Sequence, residues 1–95
     1  MRVKLVFHGS YREVTGTQQE CIELPEKANL LDLLKKLEEL YGKELTGQLI
    51  NYEKNEVWPL MAIAVNGKIL SDLNKFTYSL FENDEVIFLP PALGG

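Results

Sequence analysis

The chain has 95 residues, of which 10 are Lys or Arg and 14 are Asp or Glu, so its formal net charge is -4. This length predicts one domain, with a core large enough to fold without disulfides or metal. The acidic balance without a basic cluster excludes a nucleic-acid partner, and no apolar run reaches the roughly eighteen residues that span a bilayer. One cysteine forms no internal disulfide and charge interrupts the N-terminus before any signal-peptide apolar region, so we expect a cytoplasmic protein.

Two extended segments open the chain. The first, from residue 2 to 8, alternates apolar and polar side chains, and the second resumes this pattern from residue 19 to 24. Gly, Ser and Thr punctuate the stretch between them, so a hairpin is the expected connection. The residues expected to point inward are Val3, Leu5, Phe7, Ile22 and Leu24.

A Leu-rich segment from Asn29 to Tyr41 predicts an amphipathic helix, because apolar residues recur at three- and four-residue spacing. Asn29 is the expected N-cap, Asp32 lies in the first turn, and Gly42 is the expected left-handed stop. The outward residues Lys35, Lys36, Glu38 and Glu39 indicate a solvated face. The apolar positions are Leu30, Leu33, Leu34, Leu37 and Leu40 or Tyr41.

The middle of the chain is less regular. Residues 44 to 50 predict a short second helix broken by Gly47, and residues 51 to 58 predict a surface loop. An apolar strand follows from residue 60 to 65. Asn66-Gly67 is a strong hairpin signal, since both central residues of the favoured tight turn need positive φ. Residues 68 to 70 are the short return strand.

The last predicted strand runs from residue 85 to 89, after a turn at Asn83-Asp84. It is apolar on both faces, which is typical of a strand in the middle of a sheet. In the segment between the return strand and the last strand, the side chains expected to pack on the core are Leu73, Phe76, Tyr78 and Leu80.

This order of elements predicts an α+β fold in which a mixed sheet of four to five strands carries one long helix on one face. One helix covers only one face, so Val6, Ile87 and Leu89 are candidates for an exposed apolar patch that binds a partner. The alternative is that residues 43 to 59, including Trp58, fold over that side. The sequence leaves both open.

The final six residues form a tail, Pro90-Pro91-Ala92-Leu93-Gly94-Gly95. The prolines lack amide donors, so we expect the strand to end and an extended tail, at most roughly 20 Å long, to leave the domain. The two glycines carry no Cβ, and a narrow channel can therefore close around the backbone beside the terminal carboxylate. The competing interpretation is an ordinary frayed terminus.

Other candidate residues are weaker. Cys21 is expected to be a small core or half-exposed residue, and His8 is the sole histidine, so no metal site is predicted. Asp72, Asp84 and Glu85 occupy positions where carboxylates make local turn hydrogen bonds. Nothing else in the sequence supplies a nucleophile or a general base, so the sequence does not predict a free-standing enzyme.

The chain resembles the ubiquitin-like β-grasp sulfur carriers, and within them the small subunit of molybdopterin synthase (MoaD). The thiazole carrier ThiS shares the terminal Gly-Gly, but the length of the chain is more similar to MoaD and its archaeal ubiquitin-like modifier relatives than to the shorter ThiS. The resemblance implies a β-grasp domain at 1–89 and an extended tail at 90–95. One departure is Ala92-Leu93, where the family often has Val-Ala or Val-Thr. The motifs that carry the resemblance are Tyr11-Arg12-Glu13-Val14-Thr15-Gly16, Val65-Asn66-Gly67, Asn83-Asp84-Glu85-Val86 and Phe88-Leu89-Pro90-Pro91 with Gly94-Gly95.

The resemblance also implies a chemistry at Gly95. An activating adenylyltransferase of the MoeB/ThiF type would join its carboxylate to AMP, and a sulfurtransferase would then supply sulfur. A MoaE-like large subunit would use the resulting thiocarboxylate to build molybdopterin. ATP would be bound by the activating enzyme, and this chain would bind no cofactor. The alternatives are a modifier joined through Gly95 to lysine, or a carrier for thiamine synthesis or tRNA thiolation. The residues expected to contact partners are Pro90, Pro91, Ala92, Leu93, Gly94, Ile87 and Leu89.

Overall fold

A mixed sheet organises the chain in the computed structural model, which describes residues 1–54, 56–58, 61–70 and 75–91. The strands are β1 (Arg2–Phe7), β2 (Gln19–Glu23), β3 (Ile50–Asn51), β4 (Glu56–Val57), β5 (Ala62–Val65), β6 (Lys68–Ile69) and β7 (Glu85–Leu89). The α-helices are α1 (Ser10–Thr15), α2 (Leu30–Tyr41) and α3 (Lys43–Leu49), and a 3-10 turn spans Lys75–Thr77. No helix in these ranges is long and apolar enough to cross a membrane.

The five-stranded sheet has the order β2-β1-β7-β5-β6 among the described residues. Strand β1 runs antiparallel to β2 and parallel to β7, while β7 runs antiparallel to β5 and β5 antiparallel to β6. The last strand therefore lies at the centre, as its apolar character on both faces predicts. The α+β class with a mixed sheet is confirmed.

The core lies between the sheet and α2. The inward side chains of β1, β5 and β7 and the apolar stripe of α2 form one buried cluster. Asn29 caps the helix as predicted: Asp32 N donates to Asn29 Oδ1 at 3.0 Å, and Asn29 N donates to Asp32 Oδ2 at 2.9 Å. At the other end Tyr41 packs against Phe7, whereas Leu40 is 47% exposed. Tyr41 thus completes the apolar stripe.

Two predicted turns are confirmed by backbone angles. Asn66 has φ 52° and Gly67 has φ 83°, so both central residues of the β5–β6 turn adopt the positive φ that the tight hairpin needs. Asn83, with φ 67°, turns the chain into β7. Gly42 has the positive φ, 74°, that was expected at the end of α2, but its ψ of -174° lies outside the left-handed helical region, so the predicted left-handed stop is wrong.

The connection between β1 and β2 differs from the predicted hairpin turn because it contains α1. Tyr11 and Val14 lie three residues apart, and Tyr11 is 1% exposed while Val14 packs on the core. This spacing brings both apolar side chains onto one side of a single short helix. Gly16 ends the helix with φ 74° and donates to the Arg12 carbonyl at 2.9 Å.

The segment after α2 is more regular than predicted. Helix α3 continues through Gly47, and the expected loop contains the short β3–β4 pair, in which Ile50 lies opposite Val57. Leu45 and Leu49 are fully buried, and their contribution to the core outweighs the helix-breaking tendency of one glycine.

The prediction for the segment before β7 is right in part. Leu80 is 2% exposed and Phe76 packs partly buried against the core, but Tyr78 is 38% exposed and is not a core residue. Leu80 N donates to the Ala28 carbonyl at 3.0 Å, so backbone pairing holds this segment in place. Leu73 lies outside the described residues.

Candidate partner-binding face and tail exit

One surface of the sheet points away from α2, and we call it the open face. Its residues alternate along the strands with the buried core residues. The pairing register places Val6 beside Ile87, Ile87 beside Ala64, and Ala64 beside Ile69. The open face comprises Arg2, Lys4, Val6, Gln19, Cys21, Glu23, Ala62, Ala64, Ile69, Glu85, Ile87 and Leu89.

Helix α3 and the β3–β4 pair do not cover this face. Leu45, Leu49 and Ile50 belong to the buried cluster on the α2 side, and α3 contacts both α1 and α2. Of the two interpretations, covering by residues 43 to 59 is therefore wrong for the described part of that segment. Ile87 and Leu89 both remain half-exposed, but Val6 is only 7% exposed, so the prediction that Val6 forms part of an exposed patch is wrong. Val6 lies on the central strand β1 between β2 and β7, and its neighbours there cover it.

The open face changes character along the strands. At the end where β1 begins, Arg2 Nε lies 3.2 Å from Glu23 Oε1, and Lys4 Nζ lies 3.4 Å from Glu85 Oε2. These cross-strand ion pairs are largely exposed and contribute little to stability. They leave this end of the face well hydrated and electrically balanced.

The opposite end of the open face is apolar on β1, β7, β5 and β6, and Gln19 of the edge strand β2 borders it beside Val6. Val6 and Ile87 lie at its centre, Ala62 and Ala64 make it shallow, and Ile69 at its edge is 59% exposed. Because β1 and β7 are parallel, both run from the charged end towards the apolar end, and β7 delivers the chain to Pro90 there. A partner that receives the tail therefore meets the part of the face that costs least to desolvate.

The start of the tail is in contact with the domain. Pro90 and Pro91 are half-buried, and an ideal Cβ built on Gly9 would lie 2.8 Å from Pro90 Cγ. Gly9 has φ 56° and ψ -130°, a conformation that glycine adopts at low cost. Sequence reasoning missed Gly9; the only signal was a glycine directly after the end of the first strand. Of the predicted tail residues, Ala92, Leu93, Gly94 and Gly95 lie outside the described residues.

Of the remaining polar candidates, Cys21 lies on the open face, His8 directly precedes Gly9, and Asp72 lies outside the described residues. Cys21 is exposed on the edge strand β2, which corrects the expectation of a core or half-exposed residue, and His8 is exposed beyond β1. Asp84 is 8% exposed and makes the predicted local hydrogen bonds, accepting from Phe81 N and from Asn66 Nδ2, both at 2.8 Å. Its role is to hold the turn into β7.

One buried hydroxyl group has no role in the local hydrogen bonding. Tyr11 Oη has no hydrogen-bond partner within the described part of the chain. Burial raises the pKa of this phenol above its ordinary value of 10.0, because ionisation would place a charge away from water.

The chain is similar over its whole length to known proteins. A family profile described as the ThiS family matches residues 5–95. Small archaeal modifier protein 3 of Haloferax volcanii is 33% identical over 95 residues, with 100% of both chains covered.

Two solved structures extend the comparison. The solution structure of the Haloferax volcanii HVO 2177 protein is 32% identical, with a TM-score of 0.84, 100% of this chain covered and 87% of the other. A chain from the protein–protein complex of subunit 1 and 2 of molybdopterin-converting factor from Helicobacter pylori 26695 is 26% identical, with a TM-score of 0.61 and 100% of both chains covered. Both alignments span the whole chain, and the sheet and helices described above have the ubiquitin-like β-grasp architecture of these structures.

Proposed function

This chain belongs to the ThiS family, and from that premise we propose that it is a sulfur carrier whose Gly95 carboxylate becomes a thiocarboxylate. The proposed recipient is molybdopterin biosynthesis, in which the chain would act as the small subunit of a molybdopterin synthase. The observation that carries the proposal is the exit of the tail beside a half-exposed apolar sheet face. The similarity to a chain from a molybdopterin-converting factor complex supports the choice of pathway.

The chemistry requires activation by a partner. A carboxylate resists attack by a nucleophile because its carbon already bears a shared negative charge. In the proposed first step a Gly95 oxygen attacks the α-phosphorus of ATP on the activating adenylyltransferase, and pyrophosphate leaves. The persulfide of a sulfurtransferase then attacks the carbonyl carbon and AMP leaves, and a thiol cleaves the resulting acyl disulfide, so that the thiocarboxylate is released and the two thiol sulfurs are oxidised to a disulfide. The glycine carbon is neither oxidised nor reduced.

The chain's own contribution is recognition and delivery. The apolar end of the open face, centred on Ile87 with Leu89 beside the exit, would dock on the partner and lose little hydration. Pro90 to Gly94 would then thread into the partner's channel, where the absence of a Cβ at Gly94 and Gly95 lets the channel close. Charge developing at the carbonyl would be stabilised by donors or cations of the partner.

The intact mass of the protein isolated from its own cells tests this function. A fraction with one oxygen exchanged for sulfur is expected, and alkylation with iodoacetamide should modify it at the C-terminal peptide. Cys21 also reacts with iodoacetamide, so Cys21→Ser is the background in which the test is done. The purified protein is also incubated with the activating adenylyltransferase, an active sulfurtransferase and ATP. If its terminal carboxylate still contains only oxygen, the proposal is contradicted.

A second function is favoured by one observation, the full-length similarity to a small archaeal modifier protein. In this alternative a lysine amine of another protein attacks the activated Gly95 and AMP leaves, which forms an isopeptide bond. Activation is common to both functions, so it does not separate them. Digestion of cell extract with chymotrypsin, which cleaves after Leu93, would leave a Gly-Gly remnant on the modified lysine, and loss of these peptides when Gly95 is deleted from the chromosome would identify the modifier.

A further inference from the structure

Gly9 and Pro90 occupy equivalent positions on two neighbouring strands. The parallel register of β1 and β7 places Phe7 beside Phe88, and each chain advances two residues from there to reach Gly9 and Pro90. Pro90 has no N–H, so it cannot donate to a continued ladder. What lies beside its ring is the bare Cα of Gly9, where a Cβ would come to 2.8 Å from Cγ, 3.8 Å from Cδ and 3.9 Å from Cβ of the proline.

We propose that Gly9 is a positioning residue for the reaction at Gly95, because its contact with the Pro90 ring sets the direction in which the tail leaves the domain. This inference rests on the proposed function. Five residues beyond Pro90 reach roughly 17 Å when extended, so a turn of about 10° at Pro90 would move the carboxylate by about 3 Å. A displacement of that size is enough to lose the near-attack geometry that adenylation requires.

Gly9 also has a purely structural role, from which positioning must be separated. Its carbonyl accepts hydrogen bonds from Arg12 N at 3.1 Å and from Glu13 N at 3.3 Å, so it begins α1. An alanine at this position would suffer backbone strain whatever its surroundings, because φ is positive. Loss of activity in a Gly9 variant alone is therefore ambiguous.

Gly42 is the matched control for that structural role. It has φ 74° and ψ -174°, precedes α3, and its carbonyl accepts from Leu45 N at 3.3 Å and from Thr46 N at 3.4 Å. A Cβ on Gly42 would meet no atom within 4 Å. Gly42→Ala therefore imposes strain on a helix-starting glycine without pressing on the tail.

The first experiment measures adenylate formation with the activating enzyme of the same cells, as pyrophosphate released. Gly9→Ala is expected to lower kcat at least fivefold at saturating partner, where a change in affinity caused by the redirected tail does not contribute. Gly42→Ala should keep kcat within twofold at a comparable loss of Tm. Equal loss of kcat in the two variants would overturn the proposal, because strain alone would explain it.

A double variant tests whether Gly9 acts through Pro90. If both substitutions act through the Gly9–Pro90 contact, the double variant Gly9→Ala, Pro90→Ala should have the same kcat as Pro90→Ala alone, within twofold. Independent effects would instead multiply. A multiplied loss therefore contradicts a role for Gly9 through the proline.

NMR of the isolated protein separates failure of this inference from failure of the proposed function. A nuclear Overhauser effect between Gly9 Hα and the Pro90 ring protons is expected, and Gly9→Ala should shift the Gly94 and Gly95 amide signals while Gly42→Ala does not. Absence of that effect in the unaltered protein overturns the positioning role whether or not Gly95 is adenylated. If the effect and the shifts are present and the protein is never adenylated, the proposed function fails and the positioning of the tail stands.

Discussion

Ile87 lies directly opposite Val6 in the parallel pairing of β7 with β1, and both side chains are on the open face. Ile87→Lys would place an ammonium group at the centre of its apolar end. We expect the dissociation constant for the activating enzyme to rise at least tenfold, because docking would have to desolvate that charge. The aliphatic part of the lysine can still lie over Val6 while its ammonium reaches water, so Tm should change little. Isothermal titration calorimetry and thermal unfolding measure the two effects.

Lys36→Glu on α2 is the control for this prediction. Lys36 Nζ lies 3.6 Å from Glu39 Oε2 in an exposed pair, and such pairs contribute about 0–1 kcal/mol. Its reversal should leave the dissociation constant within twofold. If Lys36→Glu abolishes binding and Ile87→Lys preserves it, the partner docks on the helix and the open face is the wrong surface.

Removal of Gly95 tests whether the reach of the tail matters as well as its chemistry. The shortened chain still ends in a glycine carboxylate, that of Gly94, but it is shorter by roughly 3.4 Å. Reacting atoms must approach to about 3–3.5 Å, so the shortened chain should give no adenylate while its Tm is unchanged.

The control for that deletion is Leu93→Ala in the full-length chain, which keeps the reach and changes only a side chain. It should weaken binding by up to roughly 2 kcal/mol through lost apolar contact, and at saturating partner it should still be adenylated. Adenylation of the chain that lacks Gly95 would show that the site tolerates a different tail length.

Local patterns predicted most of this fold because each depends on neighbours in sequence. The N-cap at Asn29 and the paired positive φ values at Asn66 and Gly67 are local, and both were predicted. The parallel pairing of β1 with β7 joins residues from opposite ends of the chain, so the sequence indicated only that β7 is central. Single-turn elements were missed since one turn shows no repeated period, although Tyr11 and Val14 carried a weak signal for α1.

The same distinction between local and long-range features applies to the candidate site. The half-exposure of Ile87 and Leu89 followed from their alternation with core residues in an apolar strand. The contact of Gly9 with Pro90 could not be predicted, because it requires the β1–β7 register and a glycine conformation that sequence does not specify.

Asn66 links the hairpin turn to the start of β7. Glu85 N donates to Asn66 Oδ1 at 2.9 Å, and Asn66 Nδ2 donates to Asp84 Oδ1 at 2.8 Å. Asn66→Gly keeps the positive φ but removes both hydrogen bonds, so we expect a loss of about 1–3 kcal/mol in the free energy of unfolding. Urea denaturation at constant m-value measures it.

Asn83→Gly is the matched control for the loss of an asparagine at positive φ. Asn83 has φ 67°, and its side chain makes no hydrogen bond with any part of the chain that the structure describes. Glycine there relieves the strained φ without removing a bond, so the free energy of unfolding should stay within about 1 kcal/mol. Equal losses in the two variants would mean that the Asn66 side chain contributes nothing to this junction.

Tyr11→Phe should alter the pH dependence of stability at alkaline pH. Burial raises the pKa of Tyr11 above 10.0, so above about pH 10 the unfolded chain releases the phenol proton while the folded chain retains it. The unfolded state then binds fewer protons and stability falls as pH rises.

Tyr11→Phe removes this loss of stability at alkaline pH. At neutral pH the substitution should be neutral or stabilising by about 1 kcal/mol, since the removed hydroxyl has no partner among the described residues. Urea midpoints at about pH 8 and about pH 11 measure both effects, and a destabilised variant at about pH 8 would reveal a hydrogen bond to that hydroxyl.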